Sequence, residues 1–557
     1  MMQPASTPLD LIVVGSGATG GWVAKRASEA GLRVALVEAG RASTDADYRE
    51  HIPPYGLTFR GLTEAPLRQA QYQQAQSYAF DEWNSHFFID DRREPYTVGA
   101  EPFPWVGRTR LVGGRTNVWG RQSYRFSDLD LKAASHDGYG VDWPIGYADL
   151  EPYYDIVERY IGISGQNEGH PVLPDGIYQP PMPMTCAERA LRERVKAKFD
   201  RLVTIGRTAN LTAPLNNRAS CHYCGPCERG CVTHSYFVST FTTVADALRT
   251  GRCTLVTDAQ VHRVTMDAAT HRATGIEYID RATRQVRTLK ARAVVVCAQM
   301  FESMRILFNS ATPQDPAGLG NSSGLLGRYL MVHFTDAGAS AAFPEFAGTP
   351  SRGAPRRPTG IFVPRFRNLP GGPKQKYLRG FGYQGGSSSN FQMNAPGFGE
   401  AFKAAVREAG TTRISLQGFG EHLPDERNFV ELDPEVVDAW GIPALRIHIA
   451  YRDNDRQMLQ DMADAAAEML EAAGGKDIRP RNSPRWASHE VGCARMGVDA
   501  KASVLTPFQR LHDVANVYVM DGSGFPSGGY ANPTLTMMAL AVRSTDHLLE
   551  SMRRGDA

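Results

Sequence analysis

Apolar and polar positions change period several times along the chain. Residues 11–14 (LIVV) are a short continuous apolar run, as in strands buried on both faces of a parallel sheet. WVAKRASEAG (22–31) then carries Ala and Val on one helical face, and LRVALVEAG (32–40) is again strand-like, so the segment predicts a βαβ unit. TLVTDAQVHRVTMD (254–267) and GIEYID (275–280) alternate and are rich in β-branched residues, which predicts strands. ARAVVVCAQ (291–299) reads as a buried strand and FESMRILFNS (301–310) as a helix. NVYVMDGSGFP (516–526) reads as a strand with a turn after it. NPTLTMMALAVRSTDHLLESM (532–552) reads as an amphipathic helix opened by Asn532, with Pro533 at its first position. RISLQGFGEHL (413–423) and PALRIHIAY (443–451) alternate as strands do, among Pro/Gly/Arg-rich loops such as GTPSRGAPRRPTG and LPGGPKQ. YQGGSSSNFQMNAPGFG (383–399) reads as a mobile loop and QPPMPM (179–184) as an extended connector. The pattern predicts an α/β domain, begun by this βαβ unit and assembled from pieces across the whole chain. A second, sheet-containing domain is inserted before the C-terminal return.

Composition narrows the class. With 42% hydrophobic and 22% charged residues over 557, the chain is neither disordered, collagenous nor a small disulfide scaffold. Sixty-one basic against fifty-nine acidic residues give +2, no field to gather nucleic acid or anionic membrane. No apolar run approaches the roughly 20 residues of a transmembrane segment. The start, MMQPASTPLD, lacks an apolar signal core and a twin arginine.

Two motifs carry chemistry. G-x-G-x-x-G stands at Gly15, Gly17 and Gly20, between the predicted strand and helix. The first glycine permits the tight turn, the second lets backbone approach a pyrophosphate, and the third lets the helix pack close. The helix N-terminus then faces the phosphates with its partial positive charge. Glu38, at the end of the second strand, can accept from a ribose hydroxyl, which fits FAD or NAD rather than NADP. The second motif is CHYCGPCERGC, holding Cys221, Cys224, Cys227 and Cys231 in a C-x2-C-x2-C-x3-C run. Disulfides within it would close loops too short for good geometry. The spacing resembles the iron–sulfur run of ferredoxins up to its fourth cysteine, although Val232 follows where ferredoxins have Pro. A cluster, [3Fe-4S] or [4Fe-4S] with three or four thiol ligands, is preferred to zinc or unligated thiols. His222 and His234 flank the run and read as neighbours rather than ligands. The scattered Cys186, Cys253, Cys297 and Cys493 read as buried small apolar residues.

On these motifs the chain resembles the glucose–methanol–choline (GMC) family of FAD oxidoreductases, nearly end to end. The resemblance rests on DLIVVGSGATGG, TRLVGGRTNVWG (109–120), VVVCAQMFESMRIL (294–307), LLGRYLMVH (325–333) and NVYVMDGSGFPSGGYANPTLTMMALAVR (516–543). The cysteine run and SHEVGCARMG (488–497) resemble one branch, the large catalytic subunits of bacterial FAD sugar dehydrogenases such as glucose and glucoside 3-dehydrogenases. The resemblance implies a mixed α/β fold. A Rossmann-like FAD-binding domain would be built from residues 1–45, 95–150, 205–335 and 481–557, with the cysteine segment 221–231. Residues 46–94, 151–204 and 336–480 would supply a substrate domain with a large antiparallel sheet and its connections.

It further implies Gly15, Gly17, Gly20 and Glu38 at the ADP half of FAD. Gly113, Gly114, Thr116 and Asn117 would lie at the pyrophosphate and ring, Val261 at the adenine, and Asp521, Gly522 and Thr534 at the flavin turn. Some relatives have a His at the position of Val118, which in a few holds the flavin covalently; Val118 implies noncovalent FAD. Gln299 and Met300 are bulkier than the family's usual pattern. The implied base is His489, with Asn532 as the partner that holds the substrate hydroxyl. Histidine suits that role near neutral pH, and Asn532 could equally be a helix N-cap. His333 reads as structural, and Glu421 and His422 as substrate-contact candidates where the family's substrate sheet meets the flavin, with a structural role preferred.

The implied reaction is oxidation of a sugar or glycoside hydroxyl, with C3 one candidate carbon: His489 takes the proton and FAD N5 the hydride. Electrons would pass through the cluster to an external acceptor such as cytochrome c or a quinone-linked partner. An oxygen-using oxidase and a non-catalytic flavoprotein subunit are the alternatives. The branch implies a small partner subunit bearing the export signal and hence a periplasmic location; the sequence fits the cytoplasm equally.

Overall fold

The continuous apolar runs become parallel strands that end in one row. In the computed structural model, which describes residues 9–61, 65–347, 357–389, 397–407, 410–486 and 489–556, the first sheet contains β1 (Leu9–Val14), β2 (Val34–Val37), β3 (Cys253–Val256), β4 (Ala259–Asp267), β5 (Arg272–Asp280) and β6 (Val286–Val296). The second contains β7 (Phe334–Ala342), β8 (Ile361–Val363), β9 (Phe381–Ser389), β10 (Thr412–Gly420) and β11 (Lys476–Trp486). A last strand, β12 (Val517–Val519), returns to the first sheet. The helices that matter here are α1 (Ala18–Glu29), α2 (Met300–Asn309), α3 (Asp453–Ala472) and α4 (Thr534–Arg554).

The first sheet runs β3–β2–β1–β6 in parallel, with β12 parallel to the C-terminal half of β6. The N-terminal half of β6 instead leads into an antiparallel meander with β5 and β4. Val14 is in register with Val37 and Val296, and Val296 with Val519. Leu11, Val13, Leu36 and Val295 join α1 and α4 on one face, through Val23, Ala27, Ala541 and Leu548. Ile12, Val14, Val37 and Val296 join Met300, Met304 and Leu307 of α2 on the other. Burial on both faces explains why these strands read as unbroken apolar runs. Each fully buried Val or Leu contributes roughly 1.5–3 kcal/mol.

The second sheet, β11–β7–β10–β9–β8 with Thr204–Ile205 at its edge, is antiparallel and has two unlike faces. Ile414, Leu416 and Tyr383 share a core with Met458, Met462 and Met469 of α3, and Tyr383 Oη donates to the Met462 carbonyl at 2.7 Å. Their strand neighbours Gln384, Gln417 and Phe419 point the other way, toward a cavity, as a period of two requires. Asp336, left-handed at φ 69°, breaks the alternation in β7, so Thr335 and Asp336 both reach that cavity. A small third sheet pairs Phe429–Val437, Pro443–His448 and Thr97–Val98. Among the described residues no helix is long and apolar enough to cross a membrane.

Four expectations change. The Gly/Ser/Asn-rich stretch begins as β9, because pairing with β8 and β10 orders it; residues 390–396 lie outside the described residues. Strand β11 carries the second sheet across the 480/481 boundary to Trp486. In the segment 46–94, Tyr48, Phe80, Phe87 and Phe88 form a core with Leu111 and Val118, a loop of the FAD-binding half, rather than with the second sheet. The last helix starts at Thr534 with Pro533 as its cap residue, so Asn532 lies before the helix and is not its N-cap.

Gly20 is the tightest point of the βαβ unit: a Cβ there would fall inside contact distance of the Gly15 carbonyl and lie 3.3 Å from Cys297 Cβ. Backbone cannot yield as a side chain does, so Gly20→Ala should destabilise the protein by at least the roughly 1–3 kcal/mol of an overpacked core. A thermal melt of the two proteins checks this.

Candidate active site

The row of strand ends opens onto a cavity of about 930 Å³ lined by both sheets. Its nucleotide end follows from the first turn. Gly15 adopts φ 98°, in the left-handed region, and a Cβ at Gly17 would meet only open space. No side chain caps α1, and its first residues Ala18 and Thr19 line the cavity. The unsatisfied N–H groups and the positive end of the helix dipole are thus available to a phosphate. Buried Glu38 also lines this end; its carboxylate accepts from Ser16 N (3.0 Å), Ser16 Oγ (2.6 Å) and Gly40 N (2.8 Å). Ser16 Oγ in turn accepts from Gly113 N at 3.0 Å, and Ser239 Oγ donates to the Ser16 carbonyl at 2.8 Å. The glycine turn, the acidic residue and the second glycine loop are therefore one hydrogen-bonded unit. An open pyrophosphate cradle with an acidic residue at the second strand's end fits an FAD adenosine half.

Gly114, Thr116, Val261, Asp521, Gly522 and Thr534 also line the cavity. Gly20, Gly113 and Asn117 stand behind its wall. Asn117 is fully buried, with its Nδ2 donating to the Val112 and Gly114 carbonyls and its Oδ1 accepting from Tyr48 Oη. Burial raises the pKa of Asp521, which accepts from Ser303 Oγ and Ser523 N. Val118 lines the cavity and offers no atom for a covalent link. Gln299 caps α2 by accepting from Phe301 N and also donates to Glu490, which accounts for its bulk.

At the far end the cavity meets His489 and Asn532, 43 residues apart in sequence. Asn532 Nδ2 donates to His489 Nε2 at 3.2 Å, and its Oδ1 accepts from Gln384 Nε2 at 2.7 Å. The other nitrogen of His489, Nδ1, lies 2.9 Å from Nδ1 of buried His333. Burial, then His333 and the Arg115 cation, hold His489 well below the usual histidine range, so it is neutral near pH 7. Arg115 pairs with buried Glu490 at 2.5 Å and ties the second glycine loop to the His489 segment. Glu421 and His422 lie outside the cavity lining: Glu421 accepts from Arg379, and burial pushes its carboxyl up to about 7.

Two family models, both described as GMC oxidoreductase, match residues 10–335 and 424–541. The chain belongs to the GMC oxidoreductase family. It is 28% identical over 571 residues to the 2-methyl-1,2-propanediol dehydrogenase of Mycolicibacterium austroafricanum, spanning 98% of this chain and 96% of that protein. It is 26% identical over 572 residues to the fructose dehydrogenase large subunit of Gluconobacter japonicus, spanning 100% of each. Pyridoxine 4-oxidase from Mesorbium loti shares its fold, with a TM-score of 0.63 at 19% identity over 97% of this chain and 99% of that one. This GMC oxidoreductase is accordingly an enzyme that uses FAD.

The cysteine run of the oxidoreductase does not present an assembled metal cage. Its four thiols are free, and among the described residues no group of three or more His, Cys, Asp or Glu side chains is arranged to hold a metal ion. Burial raises Cys221 and Cys224 and pushes Cys227 up to about 12, opposite to the thiolates a metal needs. The run does reach the cavity: Glu228 and its partner Arg121, 3.0 Å apart, both line it. His234 pairs with Asp45 and stacks on Phe241, and His222 faces His51. Cys186 is exposed, contrary to the expectation of a buried apolar residue, because it opens a helix (Cys186–Phe199) on its solvent side.

Sequence reasoning missed His333 as a neighbour of His489, the Arg115–Glu490 pair and Gln384. For His333 a signal existed in the LLGRYLMVH motif. The others depend on strand register and on contacts between distant segments.

Because Gly17 has room for a side chain only where a cofactor phosphate would lie, Gly17→Val should leave the folded apoprotein intact. It should weaken FAD binding by at least about tenfold, or 1.4 kcal/mol. Equilibrium titration of apoprotein with FAD, beside a circular dichroism melt, measures both.

Proposed function

We propose that this GMC oxidoreductase oxidises a hydroxyl of a sugar or glycoside, with His489 as the base. The observation that carries the reading is one unbroken cavity running from the Gly17 cradle to a neutral, half-buried histidine. Bound FAD supplies the hydride acceptor. His489 Nε2 takes the hydroxyl proton, and Asn532, its amide held by Gln384, donates to the hydroxyl oxygen from Nδ2. Asn532 cannot ionise, so the proton has one destination.

A polar pouch of about 360 Å³, lined by Gln122, Arg357, Thr359, Gln384, Ser415 and Gln417, shares Gln122, Gln384 and Gln417 with the main cavity. Its three amides offer donors and acceptors together, the pattern that vicinal hydroxyls need. This supports a polyhydroxylated substrate over a simple alcohol. The similarity to a protein named as a dehydrogenase large subunit supports a partner subunit, and we propose a cytochrome c or quinone-linked protein as the external acceptor.

Anaerobic stopped-flow absorbance tests the reading. Methyl glucoside should bleach the flavin, and His489→Asn should slow bleaching by about 10²–10⁴-fold with the flavin spectrum intact. Faster bleaching by 1,2-propanediol than by any sugar tried would overturn the sugar assignment.

A second reading, an iron–sulfur exit to an acceptor other than oxygen, is favoured by the contact of the cysteine run with the cavity through Glu228 and Arg121. Protein purified without air should then contain iron and acid-labile sulfide and show a paramagnetic signal that changes on reduction. Protein free of iron that forms hydrogen peroxide on turnover would be an oxidase.

A further inference from the structure

We infer that His333 is a positioning residue that fixes the tautomer of His489, keeping His489 Nδ1 as a donor and its Nε2 lone pair toward the substrate. The inference rests on the reading of His489 as the base. It follows from a chain of hydrogen bonds in which each bond settles the direction of the next.

His333 Nε2 lies 2.6 Å from the Gly529 carbonyl, which can only accept, so Nε2 carries the hydrogen. His333 is buried and its pKa is pushed down to about 4, so the ring is neutral and its Nδ1 bears a lone pair. That nitrogen lies 2.9 Å from His489 Nδ1, which must donate. His489 is neutral as well, so its Nε2 is left unprotonated. Asn532 Nδ2 donates to that nitrogen, as it must if Asn532 Oδ1 accepts from Gln384. The edge-on packing of the two rings, at 90°, holds the line.

In the reaction the substrate O–H bond breaks and the proton bonds to His489 Nε2. The ring then carries both protons, and the Nδ1–H keeps its acceptor in His333. Without that acceptor a buried Nδ1–H would be orphaned, and the ring could turn its protonated nitrogen to the substrate. The other groups facing the pair are Arg115, charge-balanced by Glu490, and His422, which contacts Asp455 and Asn428. None of them accepts from His489.

The test uses the full-length flavoprotein with three variants. His333→Phe removes the acceptor, His333→Asn retains one at the same reach, and His333→Asp supplies a charged one. For methyl glucoside oxidation, His333→Phe should lower kcat by about 10²-fold with KM nearly unchanged, and His333→Asn should recover most of the loss. A base works when neutral, so kcat/KM rises with pH through the His489 pKa and then levels. An aspartate at 333 stabilises the imidazolium and should move that rise to higher pH, which a merely structural role would not do. A substrate-independent readout is the ¹⁵N spectrum of histidine-labelled protein, with His489 assigned by its loss in His489→Gln. It should show Nδ1 protonated in the wild type and a mixture in His333→Phe. An Nε2-protonated His489, or an unmoved pH profile in His333→Asp, overturns the inference. Full activity in His489→Gln would instead overturn the base assignment, with the spectrum still reporting the tautomer.

Discussion

The active site depends on the register of parallel strands. Val14, Val37, Val296 and Val519 end in one row because their strands pair in register, and each run passes directly into a site residue or its neighbour. Gly15, Glu38, Cys297 and Asp521 therefore reach the same cavity, although they come from three widely separated parts of the chain. A crevice at the carboxyl ends of parallel strands is where open α/β sheets bind ligands. A slip of one residue in any strand would turn its buried valines to the opposite face, so the apolar cores on both faces enforce the register that the chemistry needs.

The second sheet adds the His489 end of the cavity by a different rule. Its faces are unlike, so one residue in two is free to be polar without cost to the core. Gln384 and Gln417 are directly paired across β9 and β10 and present two amides to the cavity. Gln384 then holds Asn532, Asn532 meets His489, and His489 meets His333, so the sheet's alternation and the hydrogen-bond directions are linked. The Arg115–Glu490 pair joins this end to the second glycine loop.

The cysteine run illustrates how a strong local pattern and the assembled structure can say different things. Its spacing concentrates four thiols, and Arg121 and Glu228 carry it to the cavity wall. Burial raises the pKa of Cys221, Cys224 and Cys227 in the protein alone, and no ligating group is assembled among the described residues. Thiolates and metal stabilise each other, so a metal site of this kind is settled by loading rather than by spacing.

By itself the sequence determined the βαβ unit, the continuous parallel strands, the final helix and the family. Each of these is local: continuous apolar runs, glycines at fixed offsets and one acidic residue suffice. Only the tertiary structure decided that Asn532 lies outside the helix cap and against His489, and that Gly20 and Asn117 support the cavity from behind. It also decided that Tyr48, Phe80, Phe87 and Phe88 pack on the Val118 loop, and that a Gly/Ser-rich stretch begins as a strand. The physical reason is that these outcomes depend on pairing between segments far apart in sequence. His333 and His489 are 156 residues apart, and nothing within either segment specifies which ring nitrogen will face the other.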